Sequence, residues 1–96
     1  MKIMNEELMQ RIRSAAGILI DAGAKEVFLF GSAAKGQMGF DSDIDLAVSG
    51  LPPGKYFTVM SSIDAVLKYP YDLVDLDEDN PFVRHLKGER SLKHVA

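Results

Sequence analysis

The sequence predicts a small α/β domain with the element order α-β-β-α-β-α, and three observations carry that prediction. Three apolar runs of strand length, 26–30, 43–48 and 71–76, are rich in β-branched and aromatic residues. Three further segments repeat apolar residues at helical spacing. Gly23, the glycines at 31, 36 and 39, Gly50-Leu51-Pro52-Pro53-Gly54 and Pro70 fall between these segments and separate the elements. At 96 residues, 47 % hydrophobic and 26 % charged, the chain has room for a single domain, 1–96. Such a domain buries roughly 60–70 % of its unfolded surface.

Each element has its own local justification. Asn5 can cap a first helix whose opening turn carries Glu6 and Glu7, with Leu8, Ile12, Ala15 or Ala16, and Leu19 on one face. Gly23 supplies its stop. The strand at 26–30 leads into a connection containing Gly31, Gly36 and Gly39, then into the strand at 43–48. Gly50, Pro52, Pro53 and Gly54 break the chain before a second helix, whose predicted apolar face is Phe57, Met60, Ile63 and Val66 or Leu67. Pro70 ends it, and the third strand follows. Asn80-Pro81 reads as an N-cap with proline at the first helical position, opening a last helix through Phe82, Val83 and Leu86. Phe28, Phe30, Phe57 and Phe82 are assigned to the core, and Tyr69 and Tyr71 to burial rather than to base stacking.

Composition excludes several function classes. With no cysteine, disulfides and thiolate zinc sites are absent. No stretch approaches the roughly 20 apolar residues of a membrane span, and residues 1–7 lack a signal-peptide core, so the expectation is a cytoplasmic protein without a membrane partner. A net charge of -3 argues against nucleic acid as the main partner. Asp72, Asp75, Asp77, Glu78 and Asp79 crowd one segment, and Arg84, Lys87, Arg90 and Lys93 follow. That basic tail is read as a solvated helix face. His85 and His94, nine apart on the same predicted helix, are read as surface residues rather than metal ligands.

The chemistry lies in Gly31-Ser32, ten residues, then Asp43-x-Asp45. At ordinary residue usage this pattern arises by chance on the order of once per thousand chains of this length. Side chains alternate along a strand, so Asp43 and Asp45 share one face while Ile44 and Leu46 enter the other. Two carboxylates on one face can share a magnesium ion, whose remaining positions are filled by water and substrate phosphates. A third carboxylate would allow a second ion roughly 3.5–4 Å away, the arrangement that clamps an in-line phosphoryl displacement. Asp72 is the candidate, since it shares its face with Val74 and Leu76, although periodicity alone leaves Asp75 and Asp77 open. Like-charge repulsion near Asp43 and Asp45 is expected to fall on Asp72. Gly31 permits close backbone approach to a ligand, and a short helix from Ser32 would aim its N–H groups at a triphosphate. Lys35, one turn on, is a candidate phosphate contact, or an ordinary solvated lysine.

The stretches 31–36, 41–46 and 71–76 together resemble the minimal nucleotidyltransferases of the DNA polymerase β-like superfamily, and the resemblance covers nearly the whole chain. It implies a mixed sheet with helices packed on it, the polymerase β palm-like fold. It further implies two Mg2+ ions and transfer of a nucleoside monophosphate from ATP or another NTP to a hydroxyl, with release of pyrophosphate. By position, Asp43, Asp45 and Asp72 correspond to the catalytic and metal-binding carboxylates, and Gly31 and Ser32 to the phosphate-binding turn. Ala33 and Lys35 depart from the pattern, where family members often carry arginine. The chain also lacks the helical domain of larger relatives, so a partner is implied. Among minimal members that partner is commonly a helical HEPN protein, in a pair resembling a toxin–antitoxin system. The leading expectation is AMP transfer to a hydroxyl of a HEPN toxin. The alternative is a binding module that neutralises its partner by complex formation alone.

Overall fold

A computed structural model describes residues 2–3, 6–34, 37–38, 43–88 and 92–96. Helix α1 (Glu6–Asp21) turns through Gly23, at φ 114°, into strand β2 (Glu26–Phe30). Strand β1 (Lys2–Ile3), ahead of α1, pairs antiparallel with β3 (Gln37–Met38) in a separate two-stranded ribbon. Between β2 and β3 lies the single turn α2 (Gly31–Ala34). Strand β4 (Ile44–Ser49), a 3-10 turn at Pro53–Lys55, helix α3 (Tyr56–Leu67), strand β5 (Tyr71–Asp75), helix α4 (Pro81–Gly88) and strand β6 (Lys93–His94) complete the order. The six predicted elements are all present, and the sheet is mixed, as expected. Its order is β5-β4-β2-β6, with β4 and β5 parallel and the other pairs antiparallel.

The alternation of side chains decides which layer covers which face. Val27, Leu29, Ile44, Leu46 and Val48 bury against Ile12, Ala15, Ala16 and Leu19 of α1 and Val59, Ile63 and Leu67 of α3. On the opposite face, Phe30, Ala47 and Leu76 bury against Val83 and Leu86 of α4. Central β4 is thus covered on both sides at 46–48, which explains its unbroken apolar run. Helix α4 is short and packs on Ala47 of β4, so among the described residues it leaves the start of that strand uncovered on this face.

Helix α4 begins as its sequence dictates: the Val83 N–H donates to Asn80 Oδ1 at 2.9 Å, with Pro81 at the first position. Replacing Asn80 by Ala is expected to cost about 1 kcal/mol, read as a lowered urea midpoint at unchanged slope. Asn5, the predicted cap of α1, lies outside the described residues, as does Arg90.

Three expectations are corrected. Phe57 is 86 % exposed and Phe82 51 %, so neither belongs to the core. The buried stripe of α3 runs through Tyr56, Val59, Ile63, Val66 and Leu67, and Phe57 and Met60 lie on its flank. Stripes beginning at 56 and at 57 both fit a period of 3.6, so helical spacing could not separate them. The last helix ends at Gly88, and His94 is on β6, paired opposite Phe28. The His94 ring packs edge-on against Phe28 with centroids 5.3 Å apart, and its Nε2 lies 3.5 Å from Glu26 Oε2. Lys93 is likewise a strand residue, and among the described residues the basic side chains of the last helix are Arg84, paired to Asp79 at 2.7 Å, and Lys87. A two-residue edge strand held by backbone bonds leaves no apolar alternation to read, as is also true of β1 and β3.

Candidate active site

Asp45 sits on β4 opposite Phe30 of β2 and, across the parallel pair, opposite Asp72 of β5. Paired residues of neighbouring strands project to the same face, so Asp45 and Asp72 are side by side on the face that α4 leaves open. Asp43 precedes β4 by one residue and is exposed, as is Asp72, whereas Asp45 is partly buried. The three carboxylates act on one another. Burial first, then the charge of Asp72, then that of Asp43 raise the Asp45 carboxyl above its ordinary 3.8. Asp45 bears this burden because it is the member taken out of water.

Asp75, the competing candidate, pairs with Val48, three residues farther along the strand and on the other face. Its Oδ1 accepts the Asp77 N–H at 2.9 Å, and Asp77 Oδ2 accepts the Gly50 N–H at 2.7 Å. These two carboxylates organise the turn after β5 and are not beside Asp45.

Gly31 joins the two halves of the motif in a way the sequence did not reveal. Its φ is +66°, and a Cβ placed on it would lie 2.5 Å from Asp45 Oδ2. Glycine is required here twice, for its left-handed backbone and for the space the Asp45 carboxylate fills. α2 starts at Gly31, one residue earlier than expected, so the N-terminal end of this turn adjoins Asp45. Ser32 lies in α2 and is described only through its backbone; Lys35, Asp41 and Ser42 lie outside the described residues.

At the head of β5, the Tyr71 hydroxyl donates to the Met60 carbonyl oxygen at 3.2 Å. Burial, then hydrogen bonding and charge from Asp64, push it up to about 12, so it stays protonated at neutral pH. Tyr69 and Tyr71 both pack on the α1/α3 core.

Among the described residues, no three His, Cys, Asp or Glu side chains close around a common point. The donor set nonetheless fits a hard divalent cation, since it is all carboxylate oxygen and its half-buried member is held against two like charges. Asp43, Asp45 and Asp72 are the residues that would hold it. Among the described residues, no helix is long and apolar enough to cross a membrane.

Comparison with known proteins agrees with this architecture. The chain aligns, at 25 % identity and a TM-score of 0.67, with a chain of a toxin–antitoxin crystallised with AMP-PNP, over 92 % of its own length and 72 % of that chain. A protein described as a minimal nucleotidyltransferase shares the fold at 23 % identity and a TM-score of 0.73, over 97 % of this chain and 96 % of that one. So does a chain from a complex of a tri-AMPylated Shewanella oneidensis HEPN toxin with its MNT antitoxin, at 21 % identity, a TM-score of 0.64, and coverage of 93 % and 71 %. No curated protein matches by sequence. The family profile described as Polymerase beta, Nucleotidyltransferase matches residues 18–90, which takes in both halves of the motif and all three carboxylates. The chain belongs to the polymerase beta nucleotidyltransferase family.

Proposed function

We propose that this chain transfers AMP from ATP to a hydroxyl on a HEPN-type toxin and thereby acts as its antitoxin. The observation that carries the reading is the register of β4 with β5, which sets Asp45 against Asp72, with Asp43 close enough to raise the Asp45 carboxyl. The solved toxin–antitoxin relatives, one with AMP-PNP and one with an AMPylated HEPN toxin, support the nucleotide and the partner.

In this reading the backbone N–H groups at Gly31 and Ser32 face the triphosphate, and Lys35 adds a positive charge. Divalent cations, held by Asp43, Asp45 and Asp72, supply charge neutralisation of the phosphates when bound. The acceptor oxygen bonds to the α-phosphorus as the bond to the β-phosphate oxygen breaks, and pyrophosphate leaves. Asp72, the exposed carboxylate on the edge strand, is the one an incoming acceptor meets first and takes the hydroxyl proton.

The test is incubation of the chain with labelled ATP, Mg2+ and the cognate HEPN protein. Label on the partner, lost when Asp43→Asn and Asp45→Asn are combined, is the expected result. Absence of transfer, or transfer undiminished in the double variant, refutes the enzymatic reading. If the double variant still fully suppresses toxicity, the chain neutralises its partner by binding alone.

A further inference from the structure

Strand β5 is an edge of the main sheet, and among the described residues no strand pairs with its outer side. The Ile44 N–H donates to the Pro70 carbonyl at 2.9 Å, and the Leu76 N–H donates to the Val48 carbonyl at 2.8 Å. In a parallel ladder alternate residues of one strand face its neighbour, so 70, 72, 74 and 76 bond toward β4 while the backbone groups of Tyr71, Leu73 and Asp75 point outward. Among the described residues, the N–H and C=O of Leu73 have no hydrogen-bond partner.

That outer side is the floor of a cleft of about 880 Å³. Pro53 of the 3-10 turn and Tyr56 at the start of α3 line one side, and Phe82 at the start of α4 lines the other. Tyr71 touches α3 at Met60, which is 40 % exposed, and Phe57, one turn before it, is 86 % exposed. Phe82, which lines the cleft, is itself 51 % exposed and so offers an uncovered apolar ring there. The rim is acidic: Asp75 and Glu78 line the cleft, and the exposed Asp77 lies between them in sequence. Tyr56 Oη, buried beside the Asp75 carboxylate, makes no hydrogen bond of ordinary geometry.

We propose that β5 receives an extended segment of a partner protein as a fifth strand of the sheet, one whose residues alternate between apolar and basic. The unpaired ladder groups of Leu73 supply the backbone bonds, the apolar walls take alternate side chains, and the acidic rim selects Lys or Arg between them. The same rim opposes a second copy of this chain, since two acidic edges would meet. The cleft begins at Leu73 and extends to Asp75, roughly 10 Å along the strand from Asp72, and its occupancy does not depend on nucleotide transfer.

The probes are ten-residue synthetic peptides alternating Val with Lys, a matched series alternating Val with Glu, and the full 96-residue chain. The Val–Lys peptide should slow amide exchange at Leu73 by about tenfold or more, and leave Asp72 and Val74, already bonded to β4, unchanged. Combining Glu78→Lys with Phe82→Asp should weaken peptide binding by about tenfold or more, with salt weakening it further. Both positions are exposed, and exchange in the unsubstituted chain gives the answer even if the variant fails to fold. Equal binding of the Val–Glu peptide, binding without protection at Leu73, or self-association through β5 overturns the proposal.

Discussion

Replacing Asp45 by Asn is expected to abolish nucleotidyl transfer and also to raise the thermal midpoint of the metal-free protein by about 2–4 °C, the size of a stability gain near half a kcal/mol. The gain is set this low because the group is only partly buried and its repulsions are screened by water. Its sign follows from the raised carboxyl. The folded chain binds this proton more tightly than the unfolded chain, so the group costs nothing in acid, where both forms are protonated. The cost appears as pH rises above about 3.8 and is complete once pH passes the raised native value. Asn carries no charge and removes both the cost and that part of the pH slope. Mg2+ should raise the midpoint of the wild type and leave Asp45→Asn nearly unmoved. Calorimetry at pH 4 and pH 7, with and without Mg2+, checks each point, and a destabilised Asp45→Asn would show that the carboxylate is structural.

Gly31→Ala should be the most damaging alanine substitution among the described glycines. A left-handed backbone costs a residue with a Cβ on the order of 1–2 kcal/mol. The new carbon would also meet Asp45 Oδ2 at 2.5 Å, so either α2 or the carboxylate must move. The midpoint should fall by about 4–8 °C for each kcal/mol lost, and transfer should fall by about a hundredfold, the loss a misplacement near 1 Å can produce. Gly54→Ala, where an added Cβ meets nothing within 4 Å, is the control and should change neither. Ordinary activity in Gly31→Ala would mean that α2 and Asp45 do not act together.

Much of this geometry was legible because a strand's period is short and unforgiving. Asp45 on one face, Ile44 and Leu46 on the other, and Asp72 beside Asp45 follow from counting by two. The Asn80-Pro81 helix start was legible for a similar reason, since its cap is local chemistry. Helices were less forgiving: a stripe beginning at Phe57 fits the period as well as one beginning at Tyr56, and only the packed sheet chooses. The choice between Asp72 and Asp75 needed the β4–β5 register, a relation between segments far apart in the chain. The contact between Gly31 and Asp45 was hidden for the same reason. Nothing in Lys93-His94 announces a strand, because its partner is the backbone of β2.

The pairing of Phe30 with Asp45 makes competence inseparable from folding. A slip of one residue between β2 and β4 would turn Asp45 toward the α1/α3 core and expel Ile44 and Leu46. Such a chain could not bury its hydrophobic face, and it would hold no carboxylates beside Asp72. Partly ordered chains are therefore inert rather than sluggish, and in a population carried through its unfolding transition, catalysis and folded fraction should trace one curve.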